Sequence, residues 1–283
     1  MNIAVTGYKG RLGSELIRRG CTPMDVDIRN RYDVFAAIKQ INPDVIVNCA
    51  AYTDVNDCES AEGYIEGLRV NYFGAKNLRE SFDGLLVHLS TDYIWNGKNG
   101  PYSEDYPLDK YSPINAYGET KHGAEIMLGT FPEKPTCIVR TTCLYETHIC
   151  KDFVSKTLQN LKDGRFEASV NLSGNPTYVP HLAEALLQLI NKWEVNFPSG
   201  ITYNIIPNII HLAGRESLTR YDFALMIASI FGYDKEMVIP SKKKFWVGNR
   251  PKRGGFKVAL AEKLGLPIYS VIEGLEQYKK DLG

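Results

Sequence analysis

Short apolar runs alternate with helical repeats along the first half of the chain. Ile3-Ala4-Val5 reads as a strand, and residues 10–19 as a helix with Leu12, Leu16 and Ile17 on one face, stopped by Gly20. Asn30 is placed to cap a helix over residues 31–40, whose buried side is Val34, Phe35 and Ile38. Asn42-Pro43 ends that helix, and Val45-Ile46-Val47 reads as a strand buried on both faces. A third helix covers residues 64–81. Asp83-Gly84 then turns into a strand, residues 85–89, ending at Ser90-Thr91. A polar loop rich in Gly, Pro and Tyr runs over residues 96–113, a length that implies function or disorder. A helix over 116–128 and the strand Cys137-Ile138-Val139 follow.

After Arg140 the rhythm changes. Helical patterns at 152–163, 179–193, 219–231 and 258–264 are joined by irregular segments carrying Pro and Gly, with no internal repeat. Strand–helix alternation predicts an α/β fold with a doubly wound parallel sheet over residues 1–145. Residues 146–283 are expected to form a smaller, mostly helical substrate-binding cap, some of whose segments return to the sheet. A ligand then belongs at the carboxyl ends of the strands, between the two parts.

Composition narrows the function. Among 283 residues, 33 Lys and Arg balance 33 Asp and Glu, so nothing suggests a nucleic-acid partner held by bulk charge. No stretch reaches the ~20 apolar residues that span a bilayer. The N-terminus enters a strand at once, without an export signal, which points to the cytoplasm. Cysteines at 21, 49, 58, 137, 143 and 150 show no CxxC spacing and are expected to be reduced thiols.

The first strand runs into Thr6-Gly7-Tyr8-Lys9-Gly10-Arg11-Leu12-Gly13. A GxxGxxG turn that opens a helix lets the backbone approach a pyrophosphate, while the helix N-terminus supplies N–H donors. Three glycines alone suit a plain tight turn equally well; their place in the first strand–helix unit points to a dinucleotide. An acid at the end of the second strand, ~20 residues on, is the usual ribose partner. Here Asp25 and Asp27 fall at that distance, but Pro23 interrupts the segment and leaves the second strand short or missing. Lys9 and Arg11 are placed to meet a 2′-phosphate, which favours NADP(H) over NAD(H).

Tyr117 and Lys121 lie four residues apart and share a helix face, where an ammonium would lower the phenol pKa. Tyr72/Lys76 and Tyr106/Lys110 have the same spacing. Only Tyr117 follows a helix entry after a strand ending in hydroxyls, so Ser90, Thr91 and Tyr117 are expected to converge, and the other two pairs to be surface or packing residues. A basic run (Lys242, Lys243, Lys244, Arg250, Lys252, Arg253, Lys257) is either a solvated face or a cradle for a sugar-nucleotide diphosphate, with Arg250 the best candidate. Phe245 and Trp246 could stack on a base or belong to the core. His88 reads as a satisfied core residue, and His122 as pointing elsewhere on its helix. His148 and Cys150 have no partner cluster, so no metal is required.

Gly7-x-x-Gly10-x-x-Gly13, residues 48–55, Val70-Asn71, Ser90-Thr91-Asp92-Tyr93 and Tyr117-x-x-x-Lys121 together resemble the extended short-chain dehydrogenase/reductases. Within them the chain resembles the dTDP-4-dehydrorhamnose reductase family, in order through Arg140-Thr141-Thr142, Asn175-Pro176-Thr177, His211-Leu212-Ala213-Gly214 and Arg250-Pro251. The resemblance implies a Rossmann-type fold and NAD(P)H-dependent reduction of the C4 ketone of a nucleotide-linked 4-keto-6-deoxy sugar. It implies that Tyr117 protonates the ketone oxygen, Thr91 hydrogen-bonds it with Asp92 alongside, and Lys121 holds the nicotinamide ribose. Gly7, Gly10, Arg11 and Leu12 would line the pyrophosphate. Asp27 and Ile28 would meet adenine, and Ala50, Ala51 and Tyr52 would border the cofactor at the strand ends. Cys143 stands where the family carries a substrate-stacking tryptophan, and Arg11 where it often carries Gln. The same resemblance extends to a non-catalytic, cofactor-binding regulatory subunit of methionine adenosyltransferase, and to reductases or epimerases of other nucleotide sugars. A homodimer is expected by analogy alone.

Overall fold

The computed structural model describes residues 1–107, 113–149, 151–193, 195–196, 202–203, 206–243 and 248–283. From the N-terminus, β1 (Ile3–Thr6), α1 (Arg11–Arg18), β2 (Thr22–Pro23), α2 (Arg31–Ile41) and β3 (Val45–Asn48) alternate. A long helical stretch follows as α3 (Ala61–Gly67), a π-helical segment Leu68–Gly74 and α4 (Ala75–Ser81). Then come β4 (Leu85–Thr91), α5 (Ala116–Leu128), β5 (Thr136–Thr141), β6 (Leu144–Tyr145) and α6 (Phe153–Asp163). The remainder contains β7 (Phe166–Ser169), β8 (Ser173–Gly174), β9 (Thr177–Tyr178), α7 (Val179–Asn191), β10 (Val195–Asn196), β11 (Thr202–Tyr203) and β12 (Ile209–His211). It closes with β13 (Leu218–Thr219), α8 (Arg220–Phe231), β14 (Val238–Ser241), α9 (Ala259–Lys263) and α10 (Val271–Asp281).

Six strands form one sheet in the order β12-β5-β4-β3-β1-β2, and every pairing in it is parallel. The order reverses between β1 and β3, which opens a crevice at their carboxyl ends. Alternate side chains of the strands feed two cores. Val5, Val47, Val87 and Val139 meet Leu12, Leu16, Leu182 and Leu186 from α1 and α7. Ala4, Ile46 and Leu86 meet Val34, Leu78, Ala124 and Leu128 from α2, α4 and α5. Beyond the sheet, Tyr145, Phe223, Ile227, Leu275 and Tyr278 make a separate cluster. Leu161, Ala168, Ala224 and Val238 make another, beside the parallel pair β7–β14.

The second strand is two residues long and contains Pro23, as its interrupted pattern predicts. Phe35 departs from expectation. It is 50% exposed with the Lys39 ammonium over its ring, because α2 lies on the sheet through Val34, Ala37, Ile38 and Ile41 instead. The third helix begins three residues early, where Ser60 accepts from the Gly63 N–H, and widens to a π-helix around Asn71. The last helix, α10, was not in the predicted set, although Ser270 and Glu273 form a reciprocal capping box at its start. The long loop is not a solvent tether over its described part. Tyr102 stacks on the buried Trp95 at 4.3 Å and bridges to Phe256, and Tyr106 packs edge-on against both rings.

Candidate active site

The glycine turn sits where β1 hands over to α1. Gly7 adopts φ +60°, and a Cβ there would lie 2.6 Å from the Ala50 nitrogen; one on Gly13 would lie 2.4 Å from the Gly7 carbonyl oxygen. Bare backbone at these positions lets the loop fold against the end of β3 and expose the start of α1. Before it lies a cavity of about 500 Å³ at the carboxyl ends of the central strands, lined by Gly7, Gly10, Arg11 and Leu12 on one side and Thr91, Tyr117 and Lys121 on the other. A second cavity of about 450 Å³ continues past Ala50 and Ala51 to Lys9, Asp27 and Ile28.

Two predicted cofactor residues behave differently. Tyr52 lines neither cavity: its N–H donates to Asn71 Oδ1 at 2.8 Å and its hydroxyl to Asp57. Arg11 does not stand with Lys9. Its Nη2 donates to the Lys151 carbonyl at 2.9 Å on the first cavity, so Lys9 alone of that pair borders the second, 3.9 Å from Asp25. Asp27 is clasped by Arg29, whose guanidinium holds its carboxyl below the usual range.

Asn115 caps α5, accepting from the Gly118 N–H at 2.7 Å, and so fixes the turn that carries Tyr117 and Lys121. Thr91 ends β4 and lines the same cavity as Tyr117, its hydroxyl near enough to favour the ionised phenol. Lys121 is buried, donating to the Leu89 carbonyl at 2.6 Å with Nζ 3.0 Å from His88 Nε2. The expected fall in the Tyr117 pKa does not occur. Burial pushes it up, seconded by Tyr93 and Asp92, against a smaller pull from the Thr91 hydroxyl. Burial also acts on the ammonium, bringing Lys121 down to about 8 against the support of Glu125 and Cys49. In this enclosure the cost of losing water outweighs the attraction between the two groups.

Asp92 lies on the same cavity as the phenol, its Oδ1 3.4 Å from the Thr91 hydroxyl. Its Oδ2 accepts from the Gly255 N–H at 2.8 Å, tying the strand end to the C-terminal part, and burial pushes its carboxyl up. Cys143 sits just past β5 with φ +52°, close against Gly174, and its thiol is pushed up by burial and pulled back by Arg220. Arg250 donates to Asn56 Oδ1 at 2.7 Å and lines the cavity. Of the other basic residues in its run, Lys243 pairs with Glu167 at 3.1 Å, none lines the cavity among the described residues, and Lys244, Phe245 and Trp246 lie outside them.

Lys151 and Arg220, which sequence reading passed over, also border the site, as does Tyr93, present in the sequence only as part of its motif. Tyr93 stands edge-on to Tyr117 at 5.9 Å. With Arg250 they separate the first cavity from a third of about 670 Å³ that contains Phe153 and Phe166. Arg220 is the first residue of α8, far from any motif. The only available signal was an arginine placed directly after the capping residue Thr219, where a helix normally favours acids. Of the other Tyr/Lys pairs, Tyr72 packs in the core while Lys76 pairs with Glu80, and Tyr106 packs on Trp95. Lys110 lies outside the described residues, as does Cys150.

A family model described as the RmlD substrate binding domain matches residues 1–282. The chain is 31% identical over 256 residues to a dTDP-4-dehydrorhamnose reductase of Mycobacterium tuberculosis, covering 84% of this chain and 78% of that one. The chain belongs to the dTDP-4-dehydrorhamnose reductase family. It is therefore an NAD(P)-dependent oxidoreductase of that type. A dTDP-4-keto-6-deoxy-D-glucose reductase of Streptomyces niveus is 34% identical over 83% of this chain and 81% of its own. The crystal structure of a Bacillus anthracis dTDP-4-dehydrorhamnose reductase, solved in complex with NADP, superposes with a TM-score of 0.86 at 26% identity, covering 99% of this chain and 100% of that one. The described residues contain no helix long and apolar enough to cross a membrane.

Proposed function

We propose that the protein reduces the C4 ketone of a nucleotide-linked 4-keto-6-deoxy sugar, using NADP(H) in preference to NAD(H). The observation that carries this reading is the convergence of Thr91, Tyr117 and Lys121 on one cavity that the glycine loop also lines. A nicotinamide dinucleotide, when bound, supplies the hydride. The surroundings fit such a group. Arg11 Nε and Thr141 Oγ1 are buried on this cavity without partners, and the N-terminus of α1 offers free N–H donors.

Burial keeps Tyr117 protonated through neutral pH, so its hydroxyl holds a proton ready for the ketone oxygen. Thr91 and Lys121 line the same cavity as that hydroxyl, where negative charge would develop. Lys151, Arg220 and Arg250, which line both the first and third cavities, offer cations to a diphosphate, and Phe153 and Phe166 on the third offer apolar ring surface to a base. Lys9 on the second cavity supports the preference for a 2′-phosphate.

The test is oxidation of NADPH, and in parallel NADH, by the purified protein with dTDP-4-dehydrorhamnose as acceptor. Tyr117→Phe should lower kcat by about a hundredfold or more while leaving cofactor Kd unchanged. Parental turnover in that variant overturns the assignment.

A further inference from the structure

Behind Lys121 runs a buried polar chain. Thr6 Oγ1 lies 2.7 Å from Asn48 Oδ1, Asn48 Nδ2 lies 3.1 Å from His88 Nδ1, and His88 Nε2 lies 3.0 Å from Lys121 Nζ. Thr6, Asn48 and His88 are all at most 1% exposed. The parallel register β1–β3–β4 aligns them, pairing Thr6 with Asn48 and Asn48 with His88.

Donors and acceptors must alternate along such a chain. An ammonium at Lys121 only donates, so His88 Nε2 must accept and its Nδ1 must carry the proton. Asn48 must then present its oxygen to His88 and its NH₂ group to Thr6, whose hydroxyl also lies 3.4 Å from the Ala50 N–H. With Asn48 turned as its amide stands here, NH₂ toward His88, the ring proton moves to Nε2 and Lys121 must be a neutral amine. Both arrangements use the same heavy-atom positions and differ by half a turn of one amide.

We propose that His88 is a positioning residue for the active-site lysine, and that the Thr6–Asn48–His88 chain reverses its hydrogen-bond direction with the charge on Lys121. The groups facing that ammonium are His88 from β4, Cys49 from the end of β3 and Glu125 from α5 itself. Glu125 is shared with Arg140 of β5 and Ser90. His88 is the one ring among them. Burial, then the lysine charge, hold it well below its ordinary pKa, so it stays neutral and keeps a lone pair for the ammonium. The inference rests on Lys121 serving the active site as proposed above, but its chemistry can be read without turnover.

The direct experiment follows Lys121 Nζ by NMR through a pH titration of the full-length protein without substrate, for the parent and three variants. His88→Phe removes one acceptor of the ammonium, leaving the Leu89 carbonyl, and should lower the lysine pKa by about one unit. It should also cut kcat about tenfold, the loss expected for one charge-assisted hydrogen bond, with the alkaline limb of kcat/KM moving to lower pH. His88→Gln, which restores an acceptor near Nε2, should recover most of the limb position. Asn48→Asp places a carboxylate behind the ring, makes Nε2 a stronger acceptor and should move the lysine pKa up. If His88→Phe fails to fold, the opposite shift in Asn48→Asp still decides. An unchanged Lys121 titration in the folded variants overturns the proposal, even where activity falls. Absence of turnover by the parent on any keto sugar would instead strike at the proposed function.

Discussion

Replacing Glu125 by Gln tests the polar framework that holds α5 on the sheet. Both carboxylate oxygens of Glu125 are occupied: Oε1 by Ser90 at 2.5 Å and Arg140 Nε at 3.0 Å, Oε2 by Arg140 Nη2 at 2.6 Å. Arg140 is fully buried and Glu125 nearly so. A glutamine keeps the shape and one carbonyl but turns an NH₂ group toward a donor, and a buried guanidinium cannot shed its charge. Removing one partner of a buried pair costs about 3–5 kcal/mol. At ~2–4 °C per kcal/mol for a chain of this size, melting should fall by about 6–20 °C.

Thermal and urea unfolding of the parent, Glu125→Gln and a Glu125→Leu/Arg140→Met double variant form the assay. The double variant should recover much of the loss, since it leaves no charge stranded. The effect should reach the chemistry as well. Glu125 supports the charge on Lys121, so the alkaline limb expected from a lysine brought down to about 8 should move to lower pH. A Glu125→Gln protein within about 1 kcal/mol of the parent would refute this account of the pair.

Other outcomes follow from the same geometry. Arg220→Gln should raise KM for the nucleotide sugar by about tenfold or more, the worth of one charge-assisted hydrogen bond, with NADPH affinity unchanged; an unaltered KM would remove Arg220 from the substrate site. Acid should destabilise the protein early. Burial brings His211 from 6.5 down to about 3 and holds His88 well below 6.5, so the unfolded chain binds more protons in that window. Each contributes a loss approaching ~1.4 kcal/mol per pH unit as pH falls below 6.5. Asp92 and Glu104, both raised by burial, act in the opposite sense and subtract from this slope. Melting temperatures between pH 7 and 5.5 should therefore decline, and a flat profile would count against two buried neutral histidines.

Local pattern determined a good deal of this protein by itself. Strands buried on both faces and a helix with a capping asparagine are short-range signals, and β3, β4, α2 and α5 lie where the periodicity puts them. The glycine turn was legible for the same reason, since the need for bare backbone is written in three positions of one segment. Which of the three Tyr/Lys pairs meets a hydroxyl was inferred from context, because spacing alone is the same in all. What no local signal carries was decided by tertiary structure. Arg220 and Lys151 reach the cavity only because α8 and the segment before α6 fold back over the strand ends. Tyr117 is a weaker acid than its lysine neighbour suggested, because pKa follows the water lost on all sides of a group. His88 gave no sign of its contact with Lys121, which arises only when β1, β3 and β4 lie side by side in register and α5 closes over them. Sequence spacing specifies which residues share a face; burial and the partners brought from distant segments set what those residues can do.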